Sequence, residues 1–317
     1  MKSFSIACWN IQGLRSSAFG LKTSNSEFLK EIHDLDIVVL QETWCKLDTV
    51  THCPTNYREI IVPSQKHSST TRGRESGGLI IWYKSELHNQ MSPVKIGINY
   101  IWLKLKKKLL LTDMDLFICA IYIPPSESPY YPEDMFPSLE TEISHFQAQG
   151  NVLICGDTNA RTGLLSDLTD PEGDKYMPNG NVSNTFTLPN RNNCDHIINK
   201  SGRELVQLCQ SLGLFIVNGR VWGDTLGRFT YCSPLGQSTV DYMITDLDSS
   251  SLSSFIVKPL TPLSDHSQIN LFIKRERPNL HKHNPVSCLI LKMYTDGTKT
   301  AQHNIRKQLT PTESKQF

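Results

Sequence analysis

From residue 3 to residue 9 apolar and polar side chains alternate, the two-residue period of a β-strand. Residues 26–33 place Phe28, Leu29 and Ile32 at helical spacing, and residues 36–40 form a short apolar run that predicts a buried strand ending at Gln41-Glu42. Residues 72–78 are polar and glycine-rich, a loop. Residues 79–83, 98–105 and 116–123 predict three more strands. Pro124-Pro125 ends the last of these, because proline cannot donate to a sheet ladder. Residues 132–149, with Met135, Leu139, Ile143 and Phe146 on one face, predict a helix, and 151–155 a buried strand. Residues 164–200, rich in Asn, Asp, Pro and Gly, predict an irregular excursion. A helix over 203–212, with Leu205, Leu208, Cys209 and Leu212 inward, follows it. Strands at 214–217, 228–232, 239–245, 255–257 and 269–273 complete the pattern. Helices and strands mix, and several strands follow one another directly. That order predicts an α/β protein of two mixed sheets packed face to face with helices outside.

Composition narrows this picture. The 317 residues are 38% hydrophobic and 20% charged, as in a globular protein. The formal net charge of +1 argues against a strongly basic nucleic-acid binder. Charge is uneven, however: from Arg275 onward eight Lys and Arg face three Asp and Glu. The pattern therefore divides into a domain over 1–274 and a basic linker or tail over 275–317. The nine Cys are odd in number and form no paired CxxC, which excludes a thiolate zinc site. Cys8, Cys119 and Cys155 lie within apolar runs and read as buried hydrophobes. Met1-Lys2-Ser3 leads into alternation, not an apolar leader, and no apolar run reaches the ~18 residues that span a bilayer. An intracellular protein with no membrane partner is expected.

Five polar motifs recur at strand ends in fixed order: Trp9-Asn10-Ile11-Gln12-Gly13, Gln41-Glu42-Thr43, Gly156-Asp157-Thr158-Asn159-Ala160, Val240-Asp241-Tyr242 and Ser264-Asp265-His266. They would gather at one rim of a sheet, where carboxylates, amides and one imidazole suit a divalent metal and a phosphate. Glu42 is either a solvated carboxylate or a hard oxygen ligand. Asn10 is either a turn residue or a partner to Glu42 and a phosphate oxygen. Asp157 and Asn159 flank one residue and can face one cavity, with an Asx-turn as the ordinary alternative. Asp265 and His266 can face one atom only from a loop, since strand side chains alternate. His266 can donate to a phosphate oxygen if a carboxylate, Asp241, holds its other nitrogen. Tyr122, before Pro124-Pro125, is either a half-buried aromatic or a phenol that bonds the phosphate.

These ordered motifs resemble those of the endonuclease/exonuclease/phosphatase superfamily, the DNase I-like fold, over roughly residues 3 to 274. Within it the chain is similar to the endonuclease domain of non-LTR (LINE-type) retrotransposons, through residues 156–163, residues 202–218 and the run from Phe229-Thr230-Tyr231 to Val240-Asp241-Tyr242. The resemblance implies a four-layer sandwich and a Mg²⁺-dependent endonuclease, with Mn²⁺ as substitute. Such an enzyme nicks one DNA strand and leaves 3′-hydroxyl and 5′-phosphate ends. It implies catalytic roles for Asn10, Glu42, Tyr122, Asp157, Asn159, Asp241, Asp265 and His266. Glu42, Asn10 and Asp265 would lie at the metal. Thr230 and the hairpin of Pro234, Leu235, Gly236 and Gln237, with Asn218, would serve DNA binding. It further implies double-stranded DNA as partner, a reverse-transcriptase domain in a longer parent polyprotein, a monomer, and action in the nucleus. Tyr231 departs from the Trp usual after the hairpin threonine. Two alternatives stay open: a phosphodiesterase or phosphatase acting on RNA, a phosphoinositide or lipid, and an inactive relic.

Overall fold

A strand with large apolar side chains on both faces must be covered on both faces. Strand β1 (Phe4–Asn10) is of this kind, with all seven residues buried. A computed structural model describes residues 3–66, 75–169 and 188–275, within a unit spanning Met1–Pro278. The unit Asn279–Phe317, and with it nearly all of the basic tail, lies outside the described residues.

The first six-stranded sheet holds β1, β4 (Ile37–Gln41), β5 (Tyr57–Val62), β6 (Leu79–Lys84), β15 (Leu252–Val257) and β16 (Ile269–Ile273), in the order β15-β16-β1-β4-β6-β5. The second holds β7 (Met91–Gly97), β8 (Tyr100–Leu105), β9 (Asp115–Ile121), β10 (Gly150–Asp157), β11 (Phe215–Ile216) and β14 (Asp241–Thr245), in the order β11-β14-β10-β9-β8-β7. Both sheets are mixed. β1 runs parallel to β4 and β9 parallel to β10, while the other pairings are antiparallel. Two short ribbons stand apart: β2 (Arg15–Ser16) with β3 (Gly20–Leu21), and β12 (Tyr231–Ser233) with β13 (Gly236–Ser238).

Alternation along the strands sorts the core into three layers. Phe4, Ile6 and Cys8 of β1 meet Leu153 and Cys155 of β10 and Ile118 of β9 between the sheets. Ala7 and Trp9 point the other way, with Val38, Leu40 and Trp82, onto Phe28 and Ile32 of α1 (Ser26–Ile32). On the far side, Phe117, Cys119, Val152 and Ile154 pack under α3 (Met135–Gln147) and α4 (Lys200–Leu212), while α2 (Lys107–Leu110) is a single turn. Helix, sheet, sheet and helices give the four-layer α/β sandwich expected from the pattern.

Two local differences have physical reasons. β5 and β7 are edge strands whose sequences lack a clean alternation, and β7 tolerates Pro93 because one side of an edge needs no donor. α4 begins earlier than its apolar spacing suggests because Asn199 caps it, accepting from the Gly202 amide at 2.7 Å. The expected loop at 72–78 and the excursion at 164–200 lie partly outside the described residues. The described ends of the excursion are joined by an isolated bridge, Thr162 to Ile198.

Candidate active site

The two sheets meet where β1, β4 and β10 end, and a buried glutamine pins them there. Gln41, the last residue of β4, accepts from the Asp157 amide at 3.0 Å and donates to the Ile121 carbonyl in the opposite sheet. Gly156 makes the approach possible, since a β-carbon there would collide with the Ile121 carbonyl and the Gln41 amide. Asn10 pairs in register with Gln41, and Asp157 with Asp241, so four motif residues stand at the same level of the sandwich.

They open into a cavity of about 390 Å³ lined by Asn10, Gln12, Glu42, Asp157, Asn159, Asp265 and His266. Further wall comes from the 125–127 loop, Arg161, Asn199, Tyr231, Ser238 and Val240. Asp265 and His266 sit in a loop before β16, which lets both adjacent side chains reach the cavity. That loop is tied down: the Ser264 hydroxyl donates to the Asn10 carbonyl at 2.7 Å, and Trp9 Nε1 to the His266 carbonyl at 2.9 Å.

Three side chains form a chain of charges. His266 Nδ1 is 2.9 Å from Asp241 Oδ2, and its Nε2 is 3.9 Å from Asp157 Oδ2. The second distance is too long for a hydrogen bond, so Nε2 is placed to meet a substrate oxygen. Asp157 Oδ2 accepts from Asn10 Nδ2 at 2.9 Å, and its Oδ1 from the Asn159 amide at 3.0 Å. Burial pushes the Asp157 carboxyl up, aided by the charges of Asp241 and Glu42 and opposed by His266 and the Asn159 N–H. It settles at about 7. For His266 burial favours the neutral ring, but Asp241, Asp157 and Asp265 together outweigh it and raise the imidazole to about 10. The imidazolium is therefore the resident form at neutral pH.

Asp157, Asp241 and His266 lie close enough for one ion to touch all three. Their bonding argues otherwise, because His266 Nδ1 and Asp241 Oδ2 are taken up by each other and Asp157 Oδ2 accepts from Asn10. A better fit is offered by other residues of the same cavity. Asp265 Oδ1 is buried and accepts no hydrogen bond among the described residues, while Oδ2 is held by Gln12 Nε2 at 2.9 Å. Glu42 and Asn10 line the same cavity, and the three offer only hard oxygens toward a cation, the donor set of Mg²⁺ or Mn²⁺. Beneath this wall Lys22, itself buried, donates to the Ile11 and Gln12 carbonyls, and burial lowers its ammonium to about 8.

The cavity thus gathers Asn10, Glu42, Asp157, Asn159, Asp265 and His266, with Asp241 behind the imidazole. Other expected residues fall elsewhere. Tyr122 is 4% exposed, belongs to the core between the sheets and does not line the cavity. Thr230, expected to contact DNA, lies away from the surface. It is fully buried, and its hydroxyl accepts from the Val240 and Asp241 amides at 3.0 and 3.1 Å, fixing the strand that carries Asp241. Asn218 is likewise buried, bonded to the Asp241 carbonyl and the Met243 amide, so it braces β14. The hairpin does project: Pro234 and Leu235 form its tip, with Leu235 99% exposed, and Gly236 and Gln237 lie on its return strand. Motif reading passed over Gln12, Gln41 and Arg161. Gln12 and Gln41 stood inside quoted motifs. Only the pairing of the sheets shows what they hold.

The profile of the endonuclease/exonuclease/phosphatase family matches residues 7–266. The AP endonuclease LMAP from Leishmania major has a similar structure, with a TM-score of 0.59 at 14% identity, covering 86% of this chain and 88% of that one. The endonuclease domain of TRAS1, a telomere-specific non-LTR retrotransposon, gives a TM-score of 0.52 at 15% identity, covering 88% of this chain and 100% of that one. An endonuclease/exonuclease/phosphatase family protein from Leptotrichia buccalis gives 0.53 at 12% identity, covering 86% and 100%. At such identities these likenesses speak to the fold alone. Curated protein sequences yield no match. The profile match spans most of the sandwich and the described lining of the cavity from Asn10 to His266: this chain belongs to the endonuclease/exonuclease/phosphatase family, whose members are hydrolases.

Proposed function

We propose that this protein is a divalent-metal-dependent endonuclease that nicks one strand of double-stranded DNA and leaves 3′-hydroxyl and 5′-phosphate ends. The observation that carries this reading is one cavity that holds both the Asp157–His266–Asp241 chain and the oxygens of Glu42, Asp265 and Asn10. The scissile phosphate would lie between them. Asp157, as carboxylate, takes a proton from the attacking water, whose oxygen bonds to phosphorus as the bond from phosphorus to the 3′-oxygen breaks. The 3′-oxygen leaves and takes a proton from solvent. His266 donates through Nε2 to a non-bridging oxygen as charge develops there, and Asp241 keeps it oriented and charged. Glu42, Asp265 and Asn10 would hold Mg²⁺ or Mn²⁺, whose chemistry there is withdrawal of charge from the phosphate.

Supercoiled plasmid tests the substrate and the ends together. The purified protein should convert it to the open circle, and the nicks should be extended by a DNA polymerase without prior phosphatase treatment. Release of phosphate from small monoesters with an intact plasmid would instead favour a phosphatase. In a longer parent polyprotein such 3′-hydroxyl ends would prime a reverse-transcriptase domain, with the nucleus as the place of action.

A further inference from the structure

Arg161 is the fixed cation of the cavity wall that the chemistry above leaves unused. Its Nε and Nη2 bind Asp195 side-on at 2.8 and 2.7 Å, and Nη2 also reaches the Gln237 carbonyl at 3.3 Å. The Asp195 side chain is 2% exposed and also holds the Thr239 amide at 3.1 Å, so this anchor is rigid. The guanidinium is thereby oriented between the turn that carries Asn159 and the base of the β12–β13 hairpin. Nη1 has no protein acceptor among the described residues, while the side chain, 26% exposed, lines the cavity. Apart from His266, the rest of the lining is acidic or neutral: Glu42, Glu127, Asp157 and Asp265 line the same space. Asn199, the cap of α4, also lines it, so the positive end of that helix adds to the field around Arg161.

We infer that Arg161 forms a second anion subsite, which takes a phosphate neighbouring the scissile one. This rests on the hydrolytic reading of the cavity and narrows its substrate class. A chain with a second phosphate within reach satisfies Nη1, whereas a lone monoester or an isolated diester leaves that donor unmet. The site is thus built for a polynucleotide. The planar fork matters as much as the charge, because a guanidinium held by one edge still offers the other to a phosphate.

The test uses short duplex oligonucleotides in which one phosphate at a time, next to the nick, is replaced by an uncharged methylphosphonate. With the wild-type protein, one flanking position should lower nicking by about ten-fold or more, the effect of losing a charge-assisted contact. Arg161→Lys keeps the charge against Asp195 but removes the free edge. It should lose a similar factor on normal DNA and become indifferent to the methylphosphonate at that position. Hydrolysis of bis-p-nitrophenyl phosphate, a diester with no neighbouring phosphate, should fall by much less than nicking does. If Arg161→Lys does not fold, Arg161→Gln combined with Asp195→Asn removes the pair without stranding a charge, and the same comparison applies. Equal losses on both substrates would make Arg161 a mere brace for the Asn159 turn and overturn the subsite. So would a wild-type enzyme indifferent to every flanking methylphosphonate. A wild-type protein that nicks no DNA at all would instead overturn the endonuclease reading.

Discussion

Asp157 and His266 face opposite demands from one environment. A base must lose its proton and a cation must keep one. Burial and neighbouring carboxylates raise Asp157 to about 7, while the carboxylates, against burial, raise His266 to about 10. Both values lie above the ordinary 3.8 and 6.5, so the folded protein binds these protons more tightly than the unfolded chain does. Each contribution to stability is present below the ordinary value and is lost as pH rises through about 7 and about 10 respectively. Activity runs differently, since it needs Asp157 ionised and His266 protonated. Single-turnover nicking should rise with pH to a limb at or below about 7, a bound cation pulling Asp157 lower, and fall near about 10. Asp241→Asn removes the charge that chiefly offsets burial at His266 and should move the falling limb down. A falling limb that stays in place would show that another group sets it. At this scale the sequence told much: residues quoted at strand ends do converge. The burial of Thr230 and Asn218 was not legible, because a polar side chain near a motif looks the same whether it faces solvent or braces the next strand's backbone.

The strands deliver the site by ending together, and Gly156 is where this is tightest. Gly156→Ala should cost several-fold in soluble yield and lower the melting temperature, because the Ile121 carbonyl lies in the opposing path and is backbone. A melting curve unchanged from wild type would mean that β9 and β10 can part there. The β12–β13 hairpin is free of such constraints at its tip, where Leu235 stands out into solvent. Replacing residues 233–238 with a short Gly-Ser turn should shift where the protein nicks more than whether it nicks, since a tip beside the cavity can probe groove width and ease of bending. Sequencing nick sites from both proteins on one plasmid checks this, and an identical distribution would assign the tip no part in target choice. Buried strands such as β1, β4 and β10 were legible because both faces are apolar. The edge strands β5 and β7 were not, because half their surface meets water and their composition resembles loop.

Taken whole, the described unit closes its sheets by β16 at Ile273, and among the described residues the cavity is lined from Asn10 to His266. A protein ending at residue 277 is expected to fold and to nick, with weaker DNA binding at raised salt, since the removed residues are rich in Lys and Arg. Loss of folding on truncation would place part of the core in that tail. The four-layer order could be read from the succession of helices and strands, whereas the pairing that brings Gln41 under Asp157 depends on contacts far apart in sequence. The central claim, that this cavity hydrolyses DNA with a divalent metal, is tested most directly by plasmid nicking across a Mg²⁺ titration with wild-type and Asp157→Ala proteins of equal thermal stability. Wild type should nick in Mg²⁺ and be silent in excess EDTA, and Asp157→Ala should be slower by at least ~10²-fold at every metal concentration. Nicking by wild type in EDTA, or near-wild-type nicking by Asp157→Ala, would contradict it.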